Sequence, residues 1–201
     1  MAWIKQIDYK DSTGRLRKIY DRIKGEGDYI DNILKVHGLR PFSLEGHMAL
    51  YKYVLHNQTN SLPVHLLEAI GVYVSSLNQC TYCVDHHFEG MKRLLKDDER
   101  AHKILESLNS DQPCDAFERK ECTIFDYARK LALNPAELKE SDLHKMREEG
   151  FDDGEILEVN QVVSYFCYAN RTVLGLGVST DGDILGLSPN DQSNDSNWSH
   201  S

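Results

Sequence analysis

The chain has 201 residues, 40% apolar and 27% charged, with a net charge of −9 and few turn-formers (13 Gly, 5 Pro). That length suits one domain with a sizeable core, and an acidic balance without a basic stripe argues against nucleic acid or an anionic membrane surface as partners. No apolar run reaches the ~20 residues that span a bilayer. The first residues lack the apolar core of a signal peptide, so the chain is expected to be cytoplasmic.

Long charged–apolar alternations predict an all-α fold. Residues 1–11 read as extended, packing Trp3 and Ile4 on the core or on a neighbour. Ser12 or Thr13 caps a first helix whose Leu16, Ile19, Tyr20 and Ile23 recur at 3.6-residue spacing, ended by Gly25 and Gly27. A short helix with Tyr29, Ile30, Ile33 and Leu34 stops near Gly38. Pro41 suits the first turn of the next, striped by Leu44, Met48, Tyr51 and Leu55. His56 to Ser61 reads as a polar loop, and Pro63 then opens a strongly apolar helix through Leu66, Leu67, Ile70, Val74 and Leu77.

Asn78 is placed as N-cap of a helix running from Gln79 to Leu95, with Cys80 and Cys83 in its first turn. Asp97 or Asp98 starts a charged helix through Ile104 and Leu105. Asp115 caps one carrying Phe117, Cys122, Ile124, Phe125, Ala128 and Leu131, terminated by Asn134-Pro135. A short helix follows from Ser141 to Gly150. Asp152 and Glu155 form a capping box for the last long helix, through Ile156, Val159, Val163, Phe166 and Val173 to Gly175 and Gly177. The expected organisation is one helical domain over 1–178 and a polar C-terminal tail over 179–201, mobile by composition, with Trp198 able to anchor it on a neighbouring subunit.

Five cysteines, scattered apart from Cys80-Thr-Tyr-Cys83, do not make a secreted disulfide framework. In a reducing compartment a close pair points to redox or metal chemistry. Cysteines three apart on a helix lie within disulfide reach. Near a helix start, unpaired N–H groups stabilise a thiolate. His87, four residues after Cys83, shares its face and is suited to take the thiol proton, whereas His86 lies about 100° round and faces elsewhere. Glu68 lies ten residues before the turn at Asn78 and His87 nine after it. An antiparallel hairpin therefore sets them at similar heights, so that the carboxylate orients the imidazole. A Cys83 thiolate could then reduce a peroxide to leave a sulfenic acid, which Cys80 resolves as a disulfide; plain thiol–disulfide exchange fits the same spacing.

The pattern Glu68-x11-Cys80-x2-Cys83-x3-His87 resembles the signature of the alkylhydroperoxidase AhpD-like proteins of the carboxymuconolactone decarboxylase superfamily. Phe125-Asp-Tyr-Ala-Arg-Lys-Leu, Glu149-Gly-Phe-Asp-Asp-Gly-Glu-Ile-Leu, Tyr165-Phe-Cys-Tyr-Ala-Asn-Arg171 and Gly175-Leu-Gly-Val are similar to the peroxidase-related branch. The resemblance covers about residues 5–180. It implies an AhpD-like helical bundle, assembled as a homo-oligomer (trimer or hexamer), acting as a thiol-dependent peroxidase. It also implies Cys83 as the peroxide-reactive sulfur, Cys80 as its resolver, and Glu68 and His87 as the proton relay. The partners implied are a hydroperoxide and a thiol or dithiol reductant; no cofactor is implied beyond the redox-active Cys80–Cys83 disulfide. The best-known members carry histidine directly before the second cysteine, where this chain has Tyr82.

Two other readings stand beside this one. The first is a disulfide reductase passing electrons to another protein. The second is a non-enzymatic assembly module in which the cysteines hold zinc with His86 or His87 as third ligand. Cys114, Cys122 and Cys167 read as small core residues. Asn170 and Arg171, inside an apolar helix, read as satisfying buried polar groups or an interface carboxylate.

Overall fold

The computed structural model describes residues 2–189, 198 and 199. Among them are nine α-helices and no β-strand: α1 (Gly14–Ile23), α2 (Asn32–Val36), α3 (Pro41–Leu55), α4 (Val64–Leu77), α5 (Thr81–Leu95), α6 (Asp98–Asn109), α7 (Arg119–Leu133), α8 (Glu140–Glu148) and α9 (Asp153–Leu176). None is long and apolar enough to cross a membrane.

Helix α4 is the axis of the bundle. Every residue from Leu66 to Ser75 is buried, as an all-round apolar sequence requires. It packs against α3, α5, α6, α7 and α9. Gly71 lets α9 come in close, because a Cβ there would overlap the ring of Phe166. The charge on Glu68 is thereby carried into the middle of the molecule. Helix α9 starts with the expected capping box, in which Asp152 accepts from the Glu155 N–H at 2.8 Å, and ends on Gly177 at φ +62°.

Several local expectations are corrected. Helix α2 starts only at Asn32, leaving Tyr29 outside with its hydroxyl on Asp31. Helix α7 is capped by Glu118 rather than Asp115, because a short 3₁₀ turn at Pro113–Asp115 intervenes. That turn also brings Cys114 onto α7, where its sulfur is bonded to Cys122, so these two are a disulfide and not isolated core thiols. Trp3 is 77% exposed, lying over Gly177 rather than in the core. Arg171 is exposed and donates to the Cys167 carbonyl, one turn back on its own helix.

The polar segment after α9 folds back on the bundle. Asp183 accepts from the Asn32 N–H, Tyr29 Oη accepts from the Ile184 N–H, and Arg93 donates to the carbonyls of Leu185 and Gly186. Trp198 is buried with the Arg22 guanidinium 4.0 Å over its ring, so its anchor is α1 of the same chain. The rest of the expected mobile tail, residues 190–197, 200 and 201, lies outside the described residues.

Candidate active site

The α4–α5 turn decides where the two sulfurs sit. Asn78 is the C-cap of α4, not the N-cap of α5. Gln79 adopts φ +58°, its N–H bonds to the Ser76 carbonyl, and the Cys80 N–H bonds to that of Ser75. This paired closure needs a left-handed residue at its corner. It makes Cys80 the second residue beyond the Asn78 cap and, at once, the N-cap of α5. Cys83 follows at the third helical position, and the two Sγ atoms are 2.8 Å apart.

Both sulfurs are withdrawn from solvent, Cys80 at 0% and Cys83 at 3% exposure. They titrate as one unit. Cys80 is drawn below the usual thiol range by its hydrogen bond with Cys83, against the opposing effect of burial and with help from the Asn170 amide. Cys83 is pushed up by burial and then by its neighbour. Asn170, fully buried on α9, donates to Ser75 Oγ and accepts from Asn78 Nδ2, each at 3.0 Å. Those bonds tie it to the turn that carries the cysteines.

Glu68 meets His87 across the hairpin, with Oε2 2.6 Å from Nδ1. Burial alone would raise its pKa. The charge of His87, its hydrogen bond, and His56 outweigh burial and hold the carboxyl below the usual glutamate range. His56 is the residue that spacing did not reveal. Placed in a loop by its polar neighbours, it caps the end of α3, fully enclosed, with Nε2 3.5 Å from Glu68 Oε1 and 3.1 Å from Tyr51 Oη. Glu68 thus lies between two imidazoles. With Nδ1–H of His87 given to Glu68, Nε2 is the basic nitrogen.

Cys83, Glu68 and His87 line one cleft, together with Met48, Tyr165, Leu187, Asp31 and His86; Cys80 does not reach it. Burial pushes the hydroxyls of Tyr51 and Tyr165 well up, so both stay protonated. His86 is turned away from His87, as its position on the helix implies, towards Asp183 and Asp31. The Tyr82 ring lies tilted against that of His86, centroids 4.5 Å apart, and its hydroxyl donates to Asp183 Oδ2 at 2.7 Å. Asp31, desolvated and lying near Asp183, has its carboxyl pushed up to about 6. Neither carboxylate stands out in the sequence, because Asp31 and Asp183 are 152 residues apart and belong to no shared motif.

No family model matches the chain. Among solved structures, the alkylhydroperoxidase AhpD core of an uncharacterized peroxidase-related protein from Ralstonia eutropha JMP134 superposes with a TM-score of 0.74, covering 89% of this chain and 91% of that one at 20% identity. An uncharacterized peroxidase-related protein from Silicibacter sp. TM1040 gives 0.68 over 77% and 78%, at 25% identity. The chain has the AhpD-like fold. The same fold carries other chemistry, since the debrominase Bmp8 in complex with 2,3,4-tribromopyrrole matches with a TM-score of 0.63 over 82% of each chain, at 16% identity. The AhpD-like scaffold thus names the architecture, and the reaction must be argued from the cleft.

Proposed function

We propose that this AhpD-like protein is a thiol-dependent peroxidase cycling through a Cys80–Cys83 disulfide, with Glu68 and His87 handling protons. One observation carries the reading: Cys83 opens on the same cleft as the His87–Glu68 pair, while its other neighbour is the Cys80 sulfur at 2.8 Å.

The steps follow from that placement. Nε2 of His87 takes the Cys83 proton across the cleft, leaving the thiolate on the sulfur that faces it. That thiolate attacks the terminal oxygen of a hydroperoxide; the O–O bond breaks, Cys83 becomes a sulfenic acid and the alkoxide leaves. His87 passes that proton on to the alkoxide, which leaves as the alcohol. The Cys80 sulfur then attacks the sulfenic sulfur, forming the disulfide, and the displaced hydroxide leaves as water with the Cys80 proton. Two external thiols restore the pair and become a disulfide. Glu68 keeps His87 in the tautomer whose Nε2 exchanges protons.

The reductant is taken to be a small thiol or dithiol, since both sulfurs lie beneath the surface. The working setting is the cytoplasm, as a homo-oligomer, which light scattering on purified protein would check. His87, one of the two histidines that a zinc site on the cysteines would use, is engaged by Glu68.

Peroxide consumption with dithiol donors tests the reading. Cys83→Ser should abolish turnover, whereas Cys80→Ser should permit one turnover and trap a sulfenic acid detectable by mass. The reverse pattern would exchange the two roles. Tribromopyrrole run beside the peroxide tests the debrominase alternative: dithiol-dependent bromide release without peroxide consumption would replace the proposal.

A further inference from the structure

Asp31, His86 and Asp183 come from the approach to α2, from α5 and from the segment after α9. Their Oδ and Nε2 atoms lie within 4.8 Å of one another, the one such group among the described residues. We propose that they form a binding site for a divalent transition-metal ion, at the wall of the cleft on which Cys83 opens.

The first argument is the imidazole. His86 Nε2 is buried and has no hydrogen-bond partner. It sits 3.4 Å from Asp183 Oδ2, beyond ordinary N–H···O reach. That separation matches the edge of a coordination tetrahedron, about 3.4 Å for metal–donor bonds of about 2.0–2.1 Å.

The second is the way the carboxylates are held. Tyr82 donates to Asp183 Oδ2 at 2.7 Å, the Asn32 N–H to Asp183 Oδ1 at 3.1 Å, and Tyr29 to Asp31 Oδ1 at 2.9 Å. Each acid is thus aimed by a group behind it, as the outer partners of metal ligands aim them. The Asp183 side chain is wholly buried. Two anions enclosed together call for a cation. Lys35, one turn along, does not supply it, since its ammonium is directed to Asn32 Oδ1 at 3.4 Å and Asp8 at 3.8 Å.

One imidazole and two carboxylates are a borderline donor set. They suit zinc or manganese better than magnesium, which takes an all-oxygen, largely hydrated shell. A cation here would fasten the C-terminal segment to α5 one turn from Cys83.

The test uses the full chain, stripped with chelator and titrated with zinc chloride or manganese chloride by calorimetry, with magnesium chloride as control. The Cys80→Ser/Cys83→Ser double variant should bind one zinc or manganese per chain with a Kd below about 100 μM. His86→Gln and Asp31→Asn, checked for native helicity, should bind at least tenfold more weakly; Asp183→Asn is a third arm. Cobalt(II) bound to the wild type should show ligand-field bands without a thiolate charge-transfer band. Absence of binding at 100 μM, or binding lost in the cysteine variant and kept in His86→Gln, would overturn the proposal. No peroxide enters the assay, so the result is independent of the reaction assigned to the cysteines.

Discussion

His86 and His87 are neighbours on α5, yet each belongs to a site of different construction. His87 faces inward to Glu68 on the buried central helix and to Phe166 on α9, with His56 at the end of α3 on the far side of Glu68. His86 faces a cluster closed by a five-residue helix and a strand-free segment 151 residues away from Asn32. One side is scaffold; the other is assembled by loops. A helix separates consecutive side chains by about 100°, enough to place two imidazoles in unrelated electrostatic settings.

The largest effect that would sharpen this contrast is on the scaffold side. Glu68→Gln keeps the shape and removes the charge that orients His87, and should slow peroxide reduction by about 10²-fold or more, measured by stopped-flow. A loss below threefold would mean that the inner pair does not handle the proton.

Next comes packing. Gly71→Ala places a methyl group against the Phe166 ring and should cost about 1–3 kcal/mol in urea unfolding. Neutral behaviour would show that α4 and α9 separate easily, and the rigid side of the comparison would dissolve.

Acid should then act on the two sides in opposite directions. Glu68 is depressed in the folded chain, so its contribution is complete above the usual glutamate range of about 4.3 and lost as pH falls through the lowered value. Asp31 is raised to about 6, so it destabilises the fold fully above that pH and progressively less down to the ordinary aspartate range near 3.9. In chelated buffer, Asp31→Asn should therefore raise stability at pH 7–8 by about 1–3 kcal/mol, with the gain vanishing near pH 4. Thermal unfolding across pH 4–8 reads this directly; a gain that persists at pH 4 would place its cause outside the charge.

The smallest effect belongs to the turn the sulfurs share. Gln79→Gly relieves a left-handed backbone at φ +58° and should add up to about 1 kcal/mol. A loss instead would show that the Gln79 side chain, not the turn, holds Cys80 in place.

Much of the inner site was legible because it is local. Two helices joined by a short turn form an antiparallel hairpin, and residues at equal distance from the turn come to equal height, which brought Glu68 to His87. The four-residue spacing put His87 on the face of Cys83, and both open on the same cleft. His56 was not legible, since a histidine among Asn, Gln and Thr looks like any loop residue until α3 and α4 enclose it. The role of Asn78 was inverted because one residue type caps either helix end, and the left-handed Gln79 that selects between them is a backbone fact.

By itself, the sequence determined the helical periodicity, the apolar axis along α4, the close cysteine pair, and the carboxylate and imidazole spaced to meet across a turn. Such features depend on the fixed rise and rotation of a helix, which hold wherever the helix is placed. Only the tertiary structure decided that Cys83 rather than Cys80 reaches the cleft, that Cys114 joins Cys122, and that Asp183 returns to His86. These depend on how separate elements close in space, and nothing in the local pattern encodes a contact across a hundred residues.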